Sequence, residues 1–187
     1  MELLLESINK NSKDIEKVKD LYYGSFPEVE RHPMDLLFYK ANLNCVDFLA
    51  IYDKDIFVGF TYLITHKNLT YVLYLAIDGN VRSKGYGSLV LSQIKEKYSK
   101  NQIILNIEVI DESAINFEQR VTRKKFYERN GYESSGLLYK DRWCLYEAMV
   151  NGEKEVTKEK FYDLVKTFTG DSLFLFLEVQ ITSTKFN

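Results

Sequence analysis

The chain has 187 residues, enough for one domain with a full core, and its 45% hydrophobic and 14% aromatic content excludes an intrinsically disordered protein. Twenty-five basic and 27 acidic residues leave a formal charge of −2, without the concentrated basic surface of nonspecific nucleic-acid binding, so no nucleic-acid partner is expected. Cys45 and Cys144 stand in no metal-like spacing, Met1–Glu6 lacks a basic signal-peptide start, and the late apolar run Leu173–Leu177 is too short for a bilayer; the expectation is a cytoplasmic protein with reduced thiols, no metal and no membrane partner.

In chain order, Leu3–Leu5 reads as a short strand, and Asn11 or Ser12 as the cap of a helix whose inner face is Ile15, Val18, Tyr22 and Phe26. Pro27 and Pro33 break that pattern, and a second, weaker helix covers about Met34 to Asn42. The period then changes. Asp47–Tyr52, Ile56–Ile64 and about Leu69 to Asp78 read as an antiparallel meander turning at Asp53–Asp55 and His66–Asn68, with Gly59 a bulge or a close contact.

Arg82-Ser83-Lys84-Gly85-Tyr86-Gly87 lies between the apolar run Tyr71–Ile77 and the amphipathic run Ser88–Tyr98. Two glycines at a strand-to-helix junction let backbone N–H groups converge where the helix dipole favours an anion, most plainly a phosphate. Gln102–Ile110 is the next strand, so the helix is a crossover between parallel neighbours. A charged helix with Arg120, Arg123, Lys124, Lys125 and Arg129 follows and ends at Asn130-Gly131, with Gly131 as its C-terminal cap. Such a basic run usually makes a solvated face; a contact to phosphates or an acidic acceptor is the sharper alternative. Tyr132–Leu138 and Trp143–Val150 are strands joined near Lys140-Asp141. Phe161, Leu164, Val165 and Phe168 mark a helix ended by Gly170-Asp171, and Ser172 to Ile181 reads as one more strand.

Gly-x-Gly alone is weak. A dinucleotide fold would want a third glycine where Val90 stands, a Walker loop would want Gly-Lys-Ser/Thr, and a kinase loop would lie between antiparallel strands.

With its neighbours, the stretch resembles the GNAT superfamily of N-acetyltransferases. That family's pyrophosphate loop, Arg/Gln-x-x-Gly-x-Gly/Ala, is matched by Arg82, Gly85 and Gly87. Ile77-Asp78-Gly79 stands where the family has Val/Ile-Asp-Pro, and Phe126-Tyr127-Glu128-Arg129-Asn130-Gly131-Tyr132 matches its Phe/Leu-Tyr-x-x-x-Gly-Phe. The resemblance covers about residues 1–150. It implies an α/β (α+β) fold with a mixed, mostly antiparallel sheet and a parallel, splayed strand pair flanked by helices. Residues 151–187 are then a helix-strand appendage packed on the same domain.

The resemblance further implies acetyl-CoA as cosubstrate and direct attack by a primary amine, from a small molecule or a peptide or protein, in a ternary complex. The N–H groups of Ser83, Lys84, Gly85, Tyr86, Gly87 and Ser88 would cradle the pyrophosphate beside Arg82. The strand backbone at Ala76 and Ile77 would bond the pantetheine arm, with the Ile77 N–H on the thioester carbonyl. Tyr127 would protonate the leaving thiolate, against the reading of a core aromatic. Glu108, on one strand face with Ile104, Asn106 and Ile110, is the leading base, against a salt-bridged strand residue; Asp78 (with a turn role favoured), His66, His32 and water are alternatives.

Two departures stand out. Arg120 and Arg123 occupy positions where many members carry asparagine and alanine, and Asn116 is the substitute considered for the first. The acceptor pocket would be shaped by Phe26–Tyr39, with Glu28, Glu30 and Asp35, and by Leu138–Trp143. The C-terminal segment is open to packing on the sheet, lidding the pocket or forming a homodimer. A non-catalytic acyl-CoA sensor and a generic mononucleotide-binding enzyme are the competing classes.

Overall fold

A computed structural model describes residues 3–81, 84–152 and 155–184. Its strands Leu4–Ser7, Val46–Asp53, Ile56–His66, Leu69–Ile77, Gln102–Glu108, Leu145–Asn151, Glu133–Lys140 and Gln180–Ser183 hydrogen-bond in that order, a mixed α/β architecture with a mostly antiparallel sheet and one parallel pair. By its internal contacts the chain divides into two compact units, Met1–Thr65 with Val72–Lys97 and His66–Tyr71 with Tyr98–Asn187.

The first unit holds β1 (Leu4–Ser7), α1 (Ile15–Ser25), α2 (Met34–Lys40), β2 (Val46–Asp53), most of β3 (Ile56–His66), the greater part of β4 (Leu69–Ile77) and α3 (Tyr86–Lys97). β1 pairs antiparallel with β2, and β2 with β3. The helical face read from the sequence is the one that is buried, since Val18 and Tyr22 are almost fully enclosed. The helix is not opened by Asn11 or Ser12, however. Ser12 Oγ accepts the Asn9 N–H at 2.9 Å, so the hydroxyl closes a preceding turn, and α1 begins only after Asp14.

Between β2 and β3 the register slips by one residue, with Ile51 opposite Gly59 and Tyr52 opposite Phe57. Gly59 is thus both at a bulge and in close contact, because a Cβ there would stand 2.1 Å from the Ala76 carbonyl oxygen.

The second unit holds β5 (Gln102–Glu108), α4 (Phe117–Arg129), β6 (Glu133–Lys140), β7 (Leu145–Asn151), α5 (Lys158–Thr169), α6 (Asp171–Leu177) and β8 (Gln180–Ser183). The start of β4 belongs here too. Gln102 N–H bonds Asn68 O, and four residues later Asn106 Nδ2 bonds the Tyr71 hydroxyl, both at 3.0 Å. The two strands therefore run the same way. β5–β7, β7–β6 and β6–β8 are all antiparallel.

The expected strand over Ser172 to Ile181 is corrected: it is α6 followed by β8. Phe174 N–H bonds Gly170 O, and Phe174 and Leu177, three residues apart, are the buried side chains of α6. The Phe174 ring meets Tyr162 of α5 at 4.9 Å. Glu178, at φ 54°, stops the helix and releases the chain into β8. The inward face of α5 is Phe161, Leu164, Val165 and Phe168, as its spacing predicts.

Candidate active site

In the first unit, β4 ends at Ile77 and the Asp78 N–H bonds Val58 O at 2.8 Å. Asp78 Oδ1 accepts both the backbone and the side-chain N–H of Asn80, at 2.9 and 3.0 Å, so this carboxylate shapes a turn. Arg82 and Ser83 lie outside the described residues.

Lys84 leads into Gly85 at φ 79°, and α3 starts on the next residue, with Leu89 N–H bonded to Gly85 O at 3.1 Å. The N–H groups of Tyr86, Gly87 and Ser88 therefore open the helix, ahead of its first i to i−4 bond, as an anion-binding helix start requires. Val90, where a dinucleotide fold would want glycine, is fully buried core.

Tyr86 has a second part that the motif does not reveal. Its ring is buried, and its hydroxyl donates to Asp53 Oδ2 at 2.7 Å, tying the start of α3 to the β2–β3 turn. That hydrogen bond to a carboxylate, foremost, holds the Tyr86 phenol above its usual pKa. A tyrosine inside the glycine motif was the only sequence signal for this anchor.

Also in the first unit, the Tyr74 hydroxyl donates to Glu30 O at 2.8 Å and accepts the His32 N–H at 3.1 Å. Tyr22 donates to His32 O at 2.9 Å. Two tyrosines, one on α1 and one on β4, thus pin the segment between Pro27 and Pro33. Asp35 is drawn into an exposed ion pair with Lys10 at 2.7 Å.

In the second unit, α4 ends in a complete Schellman motif. Gly131, at φ 79°, gives its N–H to Glu128 O at 3.0 Å, and Tyr132 gives its N–H to Tyr127 O at 3.1 Å. The hydrophobic contact that accompanies such an end is here Tyr127 against Tyr132, edge to face at 5.7 Å. Phe126 also meets the Tyr127 ring edge to face, at 5.2 Å. The phenol is half-buried, and among the described residues its hydroxyl has no hydrogen-bond partner. Desolvation pushes its pKa up, with the Arg123 cation pulling in the opposite direction.

Glu108 closes β5, and both of its oxygens are engaged. Asn116 Nδ2 donates to Oε1 at 2.8 Å, Arg123 Nη1 donates to Oε2 at 2.5 Å, and Arg120 Nη2 lies 3.4 Å from Oε1. Arg120 also donates to Asn116 Oδ1 and to Val109 O, each at 2.8 Å. Asn116 is therefore committed on both sides of its amide. Lys124 pairs with Glu147 at 2.7 Å. Of the five basic residues of α4, three make structural ion pairs.

His66 ends β3 before a turn at Lys67. Among the described residues no group of three or more His, Cys, Asp or Glu side chains could hold a metal ion, and no helix is long and apolar enough to cross a membrane.

Residues 45–134 match the family model of the acetyltransferase (GNAT) domain, a span from β2 to the start of β6 that includes both motifs. No sequence in a search of curated proteins matches the chain. Among solved structures, a protein from Bacteroides thetaiotaomicron described as a GNAT-family acetyltransferase is similar at 22% identity and a TM-score of 0.71, over 95% of this chain and 99% of that one. An aminoglycoside 6'-N-acetyltransferase in complex with coenzyme A is similar at 16% identity and a TM-score of 0.60, over 79% and 96%. A spermidine N-acetyltransferase mutant from Vibrio cholerae is similar at 15% identity and a TM-score of 0.59, over 80% and 92%.

Proposed function

Because this chain carries a GNAT acetyltransferase domain in the matching fold, we propose that it transfers the acetyl group of acetyl-CoA to a primary amine by direct attack in a ternary complex. The observation that carries the reading is Tyr127, a phenol whose pKa desolvation raises and whose hydroxyl has no hydrogen-bond partner among the described residues. The amine nitrogen attacks the thioester carbonyl and loses a proton to solvent water, the tetrahedral intermediate collapses, and the C–S bond breaks. Tyr127 gives its proton to the departing thiolate and is reprotonated from solvent.

The start of α3, with the N–H groups of Tyr86, Gly87 and Ser88 behind Gly85, fits a pyrophosphate, and Ala76 and Ile77 are assigned to the pantetheine arm. Small cationic amines are the acceptor class to test first, since structural neighbours are named for aminoglycosides and spermidine. Thiol release from acetyl-CoA across aminoglycosides, polyamines and peptides with free N-termini, alongside calorimetric binding of acetyl-CoA, tests the proposal. Turnover on an amine supports it. Binding with no turnover on any acceptor would make the chain an acyl-CoA sensor instead.

A further inference from the structure

The glycine loop is fastened to one hairpin on both of its sides. Ahead of the loop, the Asp78 N–H bonds Val58 O at 2.8 Å; behind it, the Tyr86 hydroxyl donates to Asp53 Oδ2 at 2.7 Å. Val58 and Asp53 belong to the β2–β3 hairpin, and all four residues lie in the first unit. Val58 is the residue left over where the register slips from Ile51–Gly59 to Tyr52–Phe57. Such a bulge bends its strand and re-aims the side chains beyond it. There Asp53 pairs with Ile56, so the turn is only Lys54-Asp55, and Lys54 is held at φ 56°, a conformation that L side chains resist. A Cβ built on Gly79 or Gly85 would meet nothing within 4 Å among the described residues. The two ends of the loop are thus loosely packed, and the hairpin bonds, with the buried Tyr86 ring, set where they lie.

Among the described residues the Asp53 carboxylate has no hydrogen-bond or ion-pair partner besides Tyr86. By charge alone, a carboxylate beside an anion-binding helix start would weaken binding. What Asp53 contributes is a fixed acceptor. The residue it fixes is the first of α3, so the anchored side chain and an anion-facing N–H belong to the same tyrosine. We propose that Asp53 is a positioning residue for the coenzyme: through the Tyr86 hydroxyl it holds the start of α3, and so aims the N–H groups of Tyr86, Gly87 and Ser88 at the pyrophosphate. The inference rests on the reading of this helix start as a coenzyme A site, and it is measurable without turnover.

The test is calorimetric binding of coenzyme A to the full chain, with 31P NMR of the bound coenzyme. Tyr86→Phe keeps the buried ring and removes only the hydroxyl. It is expected to weaken coenzyme A binding about 10-fold, in the range of a hydrogen bond to a charged group. The pyrophosphate signals of the bound coenzyme should shift, and its 3'-phosphate signal should not. In an Asp53→Ala background the same substitution should cost less than about twofold, because the partner is already gone. Asp53→Asn still offers an oxygen to the hydroxyl and carries no charge, so it should bind the coenzyme at least as well as the wild type. An unchanged affinity in Tyr86→Phe, an equal loss in both backgrounds, or pyrophosphate signals that stay in place would overturn the proposal. So would Asp53→Asn binding as weakly as Tyr86→Phe. A lower melting temperature with affinity and 31P signals unmoved would make the hydrogen bond purely structural. If the wild type binds no coenzyme A, the reading of the site fails and the proposal with it; if it binds and the variants bind alike, the proposal alone fails.

Discussion

The carbonyl of Tyr127 accepts the N–H of Tyr132, and the two rings meet edge to face 5.7 Å apart. One bond and one ring contact thus fix the proposed proton donor at a helix end. Both depend on Gly131 at φ 79°. An alanine there is expected to cost about 1–2 kcal/mol, since an L side chain resists the left-handed region. Its Cβ would also meet Asn151 Nδ2 at 3.2 Å. Gly131→Ala should lower the melting temperature and broaden or shift the Tyr127 ring resonances, measured by calorimetry and NMR.

Tyr127→Phe keeps the ring stacking and removes only the hydroxyl, which bonds nothing among the described residues. Stability should change by less than about 0.5 kcal/mol. The maximal acetyl-transfer rate should fall by about 100-fold, in the range of general acid catalysis, with acetyl-CoA affinity unchanged. Stopped-flow thiol release and calorimetric titration separate the two. An unaltered rate, with chemistry shown to be limiting, removes Tyr127 from the mechanism.

Gly59 lies where the backbone of β4 leaves no room. A Cβ 2.1 Å from the Ala76 carbonyl oxygen cannot be relieved by rotating a side chain. Gly59→Ala should therefore destabilise the protein by about 3 kcal/mol, in the manner of overpacking. It should also displace Ala76 and Ile77, so acetyl-CoA binding weakens more than in Gly131→Ala. Urea unfolding and acetyl-CoA titration of the two variants make the comparison.

The segment from Pro27 to Pro33 is pinned by hydroxyls. Tyr74→Phe removes two hydrogen bonds, one to Glu30 O and one from His32 N–H, at about 1 kcal/mol each. Amide exchange at His32 should accelerate about 10-fold or more. If this segment lines the acceptor pocket, KM for the amine should rise while acetyl-CoA affinity holds.

Buried tyrosines also set the alkaline limit. Tyr22, Tyr62 and Tyr132 are almost fully enclosed, and desolvation is the leading cause that raises each phenol's pKa. A raised folded-state pKa means that the unfolded chain loses these protons first. Their contribution is complete below the ordinary tyrosine value near 10 and is lost as pH climbs toward the folded-state values. Each contributes a slope of about 1.4 kcal/mol per pH unit in that window. Stability measured by denaturant should be insensitive to these three groups between pH 7 and 9 and fall steeply above about pH 10.

Features that depend on near neighbours were legible in the sequence. The Tyr127–Gly131 spacing is itself the Schellman geometry, and the Gly-x-Gly stretch starts a helix as its residues require. Contacts made across the chain were not. Tyr86 finds Asp53 thirty-three residues away, and Glu108 meets Arg123 after a fifteen-residue excursion. Nothing in a strand residue's own sequence context reveals which cations will reach it. The run Leu173–Leu177 failed for a different reason. It is apolar at every position, so it carries neither period, and Gly170 with the buried pair Phe174 and Leu177 decided for a helix.

The β8 strand has a consequence for handling the protein. It covers β6 through Leu137–Lys140, Thr184 N–H extends the ladder to Gly136 O, and Arg142 is tied to both Leu177 O and Glu178. A chain ended before Gln180 would leave β6 as a bare outer strand with its amides and carbonyls facing solvent. Such edges recruit other chains, so the shortened protein should lose solubility on concentration long before it loses its helices.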